Sequence, residues 1–383
     1  MFKNPERFND YNNLTKEKTD ALLNTLSQRV KNNIDYFKNG FPAEISNNNI
    51  YPIMDHKSWV EGFYAGILWL FYEMTDDESF RIAGENCLEF FKTRIETKDS
   101  VNNHDMGFLY SLSCVAEYKV TGNKTAMETA VLAARTLSER FHEKGQFIQA
   151  WGDVGDENEY RLIVDCLMNL PLLKWAYDET KEDNFLKIAK AHLNTTKTYA
   201  IRDTGSAYHT YFFDKETGNA KYGKTHQGFS DDSAWSRGQS WCIYGLALGS
   251  EYSKEDVSDL WHKVTDYYLD NLPDDKIAYW DLCFKEGTEP RDASSSVIAV
   301  CGILEAYRRG ICSEEYLNAA KSILNAVIDK SLPENTEETN GLLSRSTYSR
   351  NSYSNEECTI WGDYFLAEAL IRLKNPDWNM YWM

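Results

Sequence analysis

Apolar positions along the chain fall into two kinds of stretch that alternate from one end to the other. In one kind, spanning roughly 15–37, 79–95, 124–141, 183–200, 255–272 and 313–330, hydrophobic residues recur every three to four positions with charges between them. That spacing predicts helices with a single buried face. In the other kind, roughly 59–74, 105–120, 163–177, 238–250, 294–309 and 359–374, apolar residues run round the whole circumference, with Gly, Ala and aromatics throughout. A helix that is apolar on every side must be covered on every side. Six stretches of each kind in strict alternation therefore predict an all-α chain of six helical hairpins. An inner ring shielded by an outer ring is an (α/α)6 barrel. The competing arrangement is an open solenoid of stacked hairpins, whose repeats run to about 35–45 residues and are uniform. Here the inner stretches recur unevenly, at about 45–75 residues, which favours closure.

Two long insertions cause the unevenness. Residues 201–236 and 273–293 are rich in Gly, Asp and aromatics and contain short alternating runs, so they predict small strands within long loops. Loops of this length in a compact chain are usually functional, and their aromatic content argues against disorder. No Pro/Gly/Ser-rich linker interrupts the pattern, so residues 1–383 are expected to form one domain. The opening MFKNPERFNDYNNL is polar, and no apolar run is long enough to span a bilayer. A soluble, cytoplasmic protein is expected.

Composition narrows the partners. With 383 residues, 42% hydrophobic and 14% aromatic, the chain can bury a large core. Its net charge of −18, from 41 basic and 59 acidic residues, argues against nucleic acid and against anionic membranes. A small acidic oligosaccharide remains acceptable where a local Arg or His meets its carboxylate. Eight cysteines show no CxxC pair and read as reduced thiols, and seven histidines show no HExxH or HxH spacing. Neither a metal nor another cofactor is expected.

Chemistry gathers where the inner stretches begin. Trp59 stands with Gly62 and Phe63; then come HDMGF (104–108), Asp165 in IVDCLMNLP, WSRGQSW (235–241), RDASSS (291–296) and TIWGDYF (359–365). Hairpins bring these beginnings to one mouth of a barrel. Aromatic rings beside Asp, Asn, Gln, Arg and His suit a sugar, whose ring faces are apolar and whose edges are hydroxyls. Trp59 and Trp361 have a second reading, as plugs of the barrel axis. Asp105 and Asp165 also have two readings. Each begins an apolar helix, where a carboxylate serves as a cap; as a pair in a dry cavity, they would raise one another's pKa and supply an acid near neutrality.

The motifs HDMGFLYSLS, FIQAWG, IVDCLMNLPLLKWA, YHTYFFDKETGNA, THQG, WSRGQSWCIYG, RDASSS and TIWGDYF, in order from Trp59 to Leu373, resemble the unsaturated glucuronyl hydrolases of glycoside hydrolase family 88. The resemblance implies an (α/α)6 fold and removal of the 4,5-unsaturated uronic residue from lyase-generated glycosaminoglycan oligosaccharides of chondroitin, hyaluronan or heparin type, without a cofactor. It implies that Asp165 is the general acid/base and Asp105 the carboxylate that holds ring hydroxyls. His209, Gln227, Arg237, Trp241 and Trp151 match residues lining the sugar subsite, and Trp59 joins them at the mouth. Arg237 or His209 is expected to meet the substrate carboxylate; Asn169 and Ser240 stand one helical turn behind. Two rival readings are a hydrolase of unsaturated galacturonyl residues from rhamnogalacturonan and a non-catalytic helical sugar-binding protein. The intact set of Asp105, Asp165, His209, Gln227 and Arg237 argues against the second. In some relatives the stretch matching 344–357 contacts sulfate through serines and a lysine; here it has serines and no lysine.

Overall fold

Both kinds of stretch fold as helices in the computed structural model, which describes residues 1–38, 40–253, 256–333, 339–350 and 356–383. The amphipathic stretches form α1 (Lys16–Phe37), α3 (Glu78–Asn86) with α4 (Leu88–Glu96), α7 (Lys124–Ser138), α9 (Asp183–Thr195), α11 (Ser258–Asp270) and α13 (Glu314–Lys330). The apolar stretches form α2 (Glu61–Thr75), α5 (Met106–Tyr110) with α6 (Ala116–Thr121), α8 (Leu170–Thr180), α10 (Ser236–Gly249), α12 (Ala293–Arg308) and α14 (Ile360–Lys374). Side-chain caps set several starts: Thr15, Asp77, Asn123 and Asp292 each accept from a backbone N–H of the first turn of α1, α3, α7 and α12. Left-handed residues Asp76, Gly122 and Lys181 end α2, α6 and α8.

Burial separates the two sets as the pattern requires. Every residue of α10 is buried, and α12 is buried from Ala293 to Ala306. The inner set closes on itself: α2 packs on α5, α5 on α8, α8 on α10, α10 on α12, α12 on α14, and α14 returns to α2. Aromatic rings fill the axis, with Phe63 against Phe108, Phe108 against Trp241, Trp241 against Phe365, and Trp382 stacked on Phe365. No helix among the described residues is long and apolar enough to cross a membrane.

Four expected helices are not continuous α-helix. The second outer stretch breaks at Cys87 between α3 and α4, the fourth outer stretch ends in a π turn (Thr196–Ala200), the second inner stretch passes through a π turn (Ser111–Val115), and the third inner stretch opens with a 3-10 turn (Val164–Met168). Strands are short: β1 (Phe141–His142) pairs with β2 (Phe147–Ile148), and β3 (Arg161–Ile163), β4 (Thr210–Phe213) and β5 (Ala220–Lys224) form an antiparallel sheet. The first insertion thus supplies β4 and β5. The second forms only single bridges, Trp235 with Asp281 and Tyr279 with Arg291, because its backbone groups are spent on residues 234–236 and on its own return.

Candidate active site

Asp105 stands at the entry of α5, and Asp165 lies inside the 3-10 turn that precedes α8. Asn169 fastens the two segments together. Its Oδ1 accepts from the Phe108 N–H at 2.9 Å, and its Nδ2 donates to the Asp165 carbonyl at 3.4 Å. Gly107 permits the approach, since a Cβ there would lie 2.5 Å from the Asn169 Cα.

Neither carboxylate is a cap. Asp105 makes no side-chain bond to the first turn of α5, and Asp165 Oδ1 accepts no hydrogen bond from the described residues. Their side chains are 17% and 18% exposed, so each reaches the cleft while surrounded by protein. Burial, followed by the neighbouring charge of Asp165, pushes Asp105 up to about 8. Burial pushes Asp165 up to about 7 against the opposing pull of Arg237. Two groups titrating there keep a proton within the pair at neutral pH.

His209 precedes β4, and its carbonyl accepts from the Val164 N–H at 3.0 Å, which ties it to the turn carrying Asp165. Its Nδ1 accepts from the backbone N–H groups of His226 and Gln227 at 3.2 and 3.1 Å. That nitrogen therefore carries no proton, and the ring's hydrogen sits on Nε2, 4.0 Å from Asp165 Oδ1. Burial holds His209 well below the usual imidazole range, so it is neutral. Its ring stacks on Trp235 at 4.3 Å.

Arg237 is buried and heavily committed. Nη1 donates to Asp292 at 2.5 Å and to the Thr347 carbonyl at 2.8 Å, and Nη2 donates to the Tyr348 carbonyl at 2.5 Å. Gln227 also donates to the Tyr348 carbonyl, at 3.3 Å, and Trp59 Nε1 donates to the Tyr348 hydroxyl at 3.3 Å. Tyr348 thus links three of the expected residues. It lies in the stretch 344–357, whose residues 351–355 fall outside the described residues.

The tryptophans divide. Trp151 is partly exposed, lies 5.2 Å from the His226 ring, and carries the Arg161 guanidinium over its face at 4.4 Å. Trp59 is also partly exposed and stacks on the fully buried Trp361 at 5.0 Å. Trp241 departs from the expectation of a sugar-facing ring: it is wholly buried between Phe108 and Phe365, because its place on an all-round buried helix aims it at the axis. It forms floor beneath the cleft. Ser240 is likewise buried and bonds to Ser295 of α12.

Sequence reasoning missed His104, whose Nε2 lies 3.4 Å from Asp105 Oδ1 and whose burial drives it down to about 3. Its position next to Asp105 in HDMGF was the available signal. A cavity of about 800 Å³ lies elsewhere, between α1 and α3, with Phe37, Phe41, Met54, Leu68, Ile82 and Phe90 in its lining. It contains neither Asp105 nor Asp165. Among the described residues no group of three His, Cys, Asp or Glu side chains is arranged to hold a metal.

Comparison with known proteins shows the family and the fold. The model of the family described as Glycosyl Hydrolase Family 88 matches residues 26–373. The chain is 42% identical to the unsaturated chondroitin disaccharide hydrolase of Streptococcus pneumoniae, across 99% of this chain and 98% of that one. It is 39% identical to the unsaturated glucuronyl hydrolase of Bacillus sp. (strain GL1), across 89% and 93% of the two chains. The crystal structure of the unsaturated glucuronyl hydrolase from Streptococcus agalactiae superposes with a TM-score of 0.95 at 39% identity, covering 100% and 98%. A mutant of that enzyme complexed with dGlcA-GalNAc6S superposes with a TM-score of 0.88 at 36% identity, covering 100% and 97%.

Proposed function

The chain belongs to glycosyl hydrolase family 88, and from that premise we propose that residues 1–383 form one catalytic domain that removes the 4,5-unsaturated uronic acid from lyase-generated chondroitin-type disaccharides. The similarity to the streptococcal chondroitin disaccharide hydrolase supports this substrate over rhamnogalacturonan fragments. The observation that carries the chemistry is the buried pair Asp105 and Asp165, both raised into the neutral range, with a neutral His209 facing Asp165.

The substrate is a vinyl ether. Protonated Asp165 delivers its proton to carbon 4, the electron pair of the double bond forming the new C–H bond, and positive charge develops over carbon 5 and the ring oxygen. Asp165, now a carboxylate, takes a proton from water as the water oxygen bonds to carbon 5. The resulting hemiketal opens to a ketone at carbon 5 as its bond to the ring oxygen breaks, leaving a hemiacetal at carbon 1; that hemiacetal collapses to an aldehyde, and the glycosidic oxygen leaves with the hydroxyl proton as the second sugar. Asp105, on the neighbouring segment, meets the ring hydroxyls and holds the sugar against Asp165. His209 donates from Nε2 and, being neutral, is no counter-ion for the substrate carboxylate. Arg237, whose charge is met by Asp292, reaches that carboxylate only through what remains of its donor capacity.

The test follows loss of the double-bond absorbance on unsaturated chondroitin, hyaluronan, heparin and rhamnogalacturonan fragments, then locates oxygen-18 from labelled water by mass spectrometry at short times. Chondroitin-type disaccharides are expected to react, with label at carbon 5 of the uronic product. Label at carbon 1 alone would rule out hydration. Asp165→Asn is expected to lower turnover by at least about 10²–10⁴ while leaving the fold intact.

A further inference from the structure

Arg140 follows α7 and is 3% exposed, and its guanidinium is spread behind the segment that carries Asp105. Nε donates to the Gln149 carbonyl at 2.9 Å, Nη1 to Asn102 Oδ1 at 2.6 Å, and Nη2 to the Gly152 carbonyl at 3.0 Å. Those acceptors flank two segments that pair with one another: Asn103 bridges Trp151, and the His104 N–H donates to the Ala150 carbonyl at 2.7 Å. One side chain thus holds both sides of this pairing, through the Asn102 amide three residues before Asp105 and through the carbonyls two residues before and one after Trp151.

The charges differ sharply from those of the other buried arginine nearby. Arg94 of α4 also holds two carbonyls, those of Ser58 and Ser100, and is met by the Glu61 carboxylate at 3.1 Å. Arg140 gives its hydrogen bonds to two carbonyls and an amide, all neutral. A buried cation whose own contacts are neutral acts at longer range on the nearest anion, and the first acid to feel Arg140 is Asp105.

We propose that Arg140 is a positioning residue for the reaction: it fixes the Asn102–Asp105 segment against the Gln149–Gly152 segment and places a buried guanidinium, hydrogen-bonded only to neutral acceptors, behind Asp105. The groups around Asp105 show what such a charge does there. His104 beside it is neutral, Asp165 of the 3-10 turn opposes its ionisation, the Cys166 thiol is held protonated by burial, Tyr348 contributes no positive charge, and Arg94 is paired with Glu61. Arg140 and Arg94 both pull Asp105 downward, and of the two Arg140 has no carboxylate among its hydrogen-bond acceptors.

This inference rests on the proposed reaction for its consequence, yet its test does not depend on turnover. Carbon-13 carboxyl resonances of aspartate-labelled protein are titrated, with Asp105 assigned by its loss in Asp105→Asn, in wild type, Arg140→Gln and Arg140→Lys. In Arg140→Gln the titration of Asp105 is expected to move up by about one pH unit, and the acid limb of the kcat/KM profile on unsaturated disaccharide moves with it. Arg140→Lys keeps a cation and loses the fork, so Asp105 is expected to titrate within a few tenths of a unit of wild type while kcat falls. An unmoved Asp105 in Arg140→Gln overturns the proposal, as does a full shift in Arg140→Lys. Should Arg140→Gln fail to fold, Arg140→Met, which also removes the charge, is titrated in its place by the same criterion. Wild type inactive on every disaccharide would instead count against the proposed reaction and leave the titration result standing.

Discussion

At the scale of single residues, the site contains groups that the fold would be more stable without. Asp105 is raised from 3.8 to about 8, so between those values the folded state binds a proton that the unfolded chain does not. Stability from this group is complete below the unfolded pKa and falls as pH rises through the interval, levelling off above the folded value. Replacing the carboxylate by an amide removes that slope. Asp105→Asn is therefore expected to melt above wild type at pH 8, with the gap shrinking towards pH 5; melting curves across that range check it, and a gap independent of pH would refute the buried-charge account. His209 carries a different kind of constraint. Two backbone donors on Nδ1 make protonation there costly, so the ring presents one hydrogen-bond donor to the cleft throughout the working pH range.

At the scale of elements, the distance between the two carboxylates is governed by how closely α5 approaches the turn before α8. That contact is made by Gly107, where an added Cβ would meet the Asn169 Cα at 2.5 Å and its Oδ1 at 2.8 Å. The neighbour is backbone, so it cannot swing aside. Gly107→Ala must push α5 away from the turn, stretching the Phe108–Asn169 hydrogen bond and separating Asp105 from Asp165. The expected outcome is a loss of kcat/KM of at least about tenfold, with a destabilisation of about 1–3 kcal/mol. Kinetics and thermal melting measured on the same preparation check whether the two separate. The irregular segments follow the same logic. The π turn at Ser111–Val115 and the 3-10 turn at Val164–Met168 interrupt the inner helices directly after and around the carboxylates, re-aiming side chains that a regular helix would send elsewhere.

At the scale of the whole molecule, the cleft floor is continuous with the packing at the other end of the ring. Trp241 and Phe108 lie beneath the site, Phe365 packs on Trp241, and Trp382 stacks on Phe365 at 5.9 Å with an interplanar angle of 2°. Trp382 is fully buried, and its Nε1 donates to Glu368 at 2.9 Å. Truncation there opens a large hole on the axis and leaves a buried carboxylate short of a donor. Trp382→Ala is expected to cost about 3–5 kcal/mol, read from denaturant unfolding. A loss below about 1 kcal/mol would show that the axis does not depend on this ring.

The chain's pattern alone determined its class, because six all-round apolar stretches cannot be covered except by each other and by six amphipathic partners. The chemistry-bearing motifs were equally legible, as residue types at helix beginnings. Whether Asp105 and Asp165 cap helices or form a pair was not legible: they are sixty positions apart in the chain, and their separation depends on how two helices cross. The burial of Trp241, the proton position on His209 and the neutral surroundings of Arg140 share that origin. Each is set by what other segments place against the side chain, and electrostatic free energy in a dry cleft depends on those neighbours' distances rather than on the residue's identity.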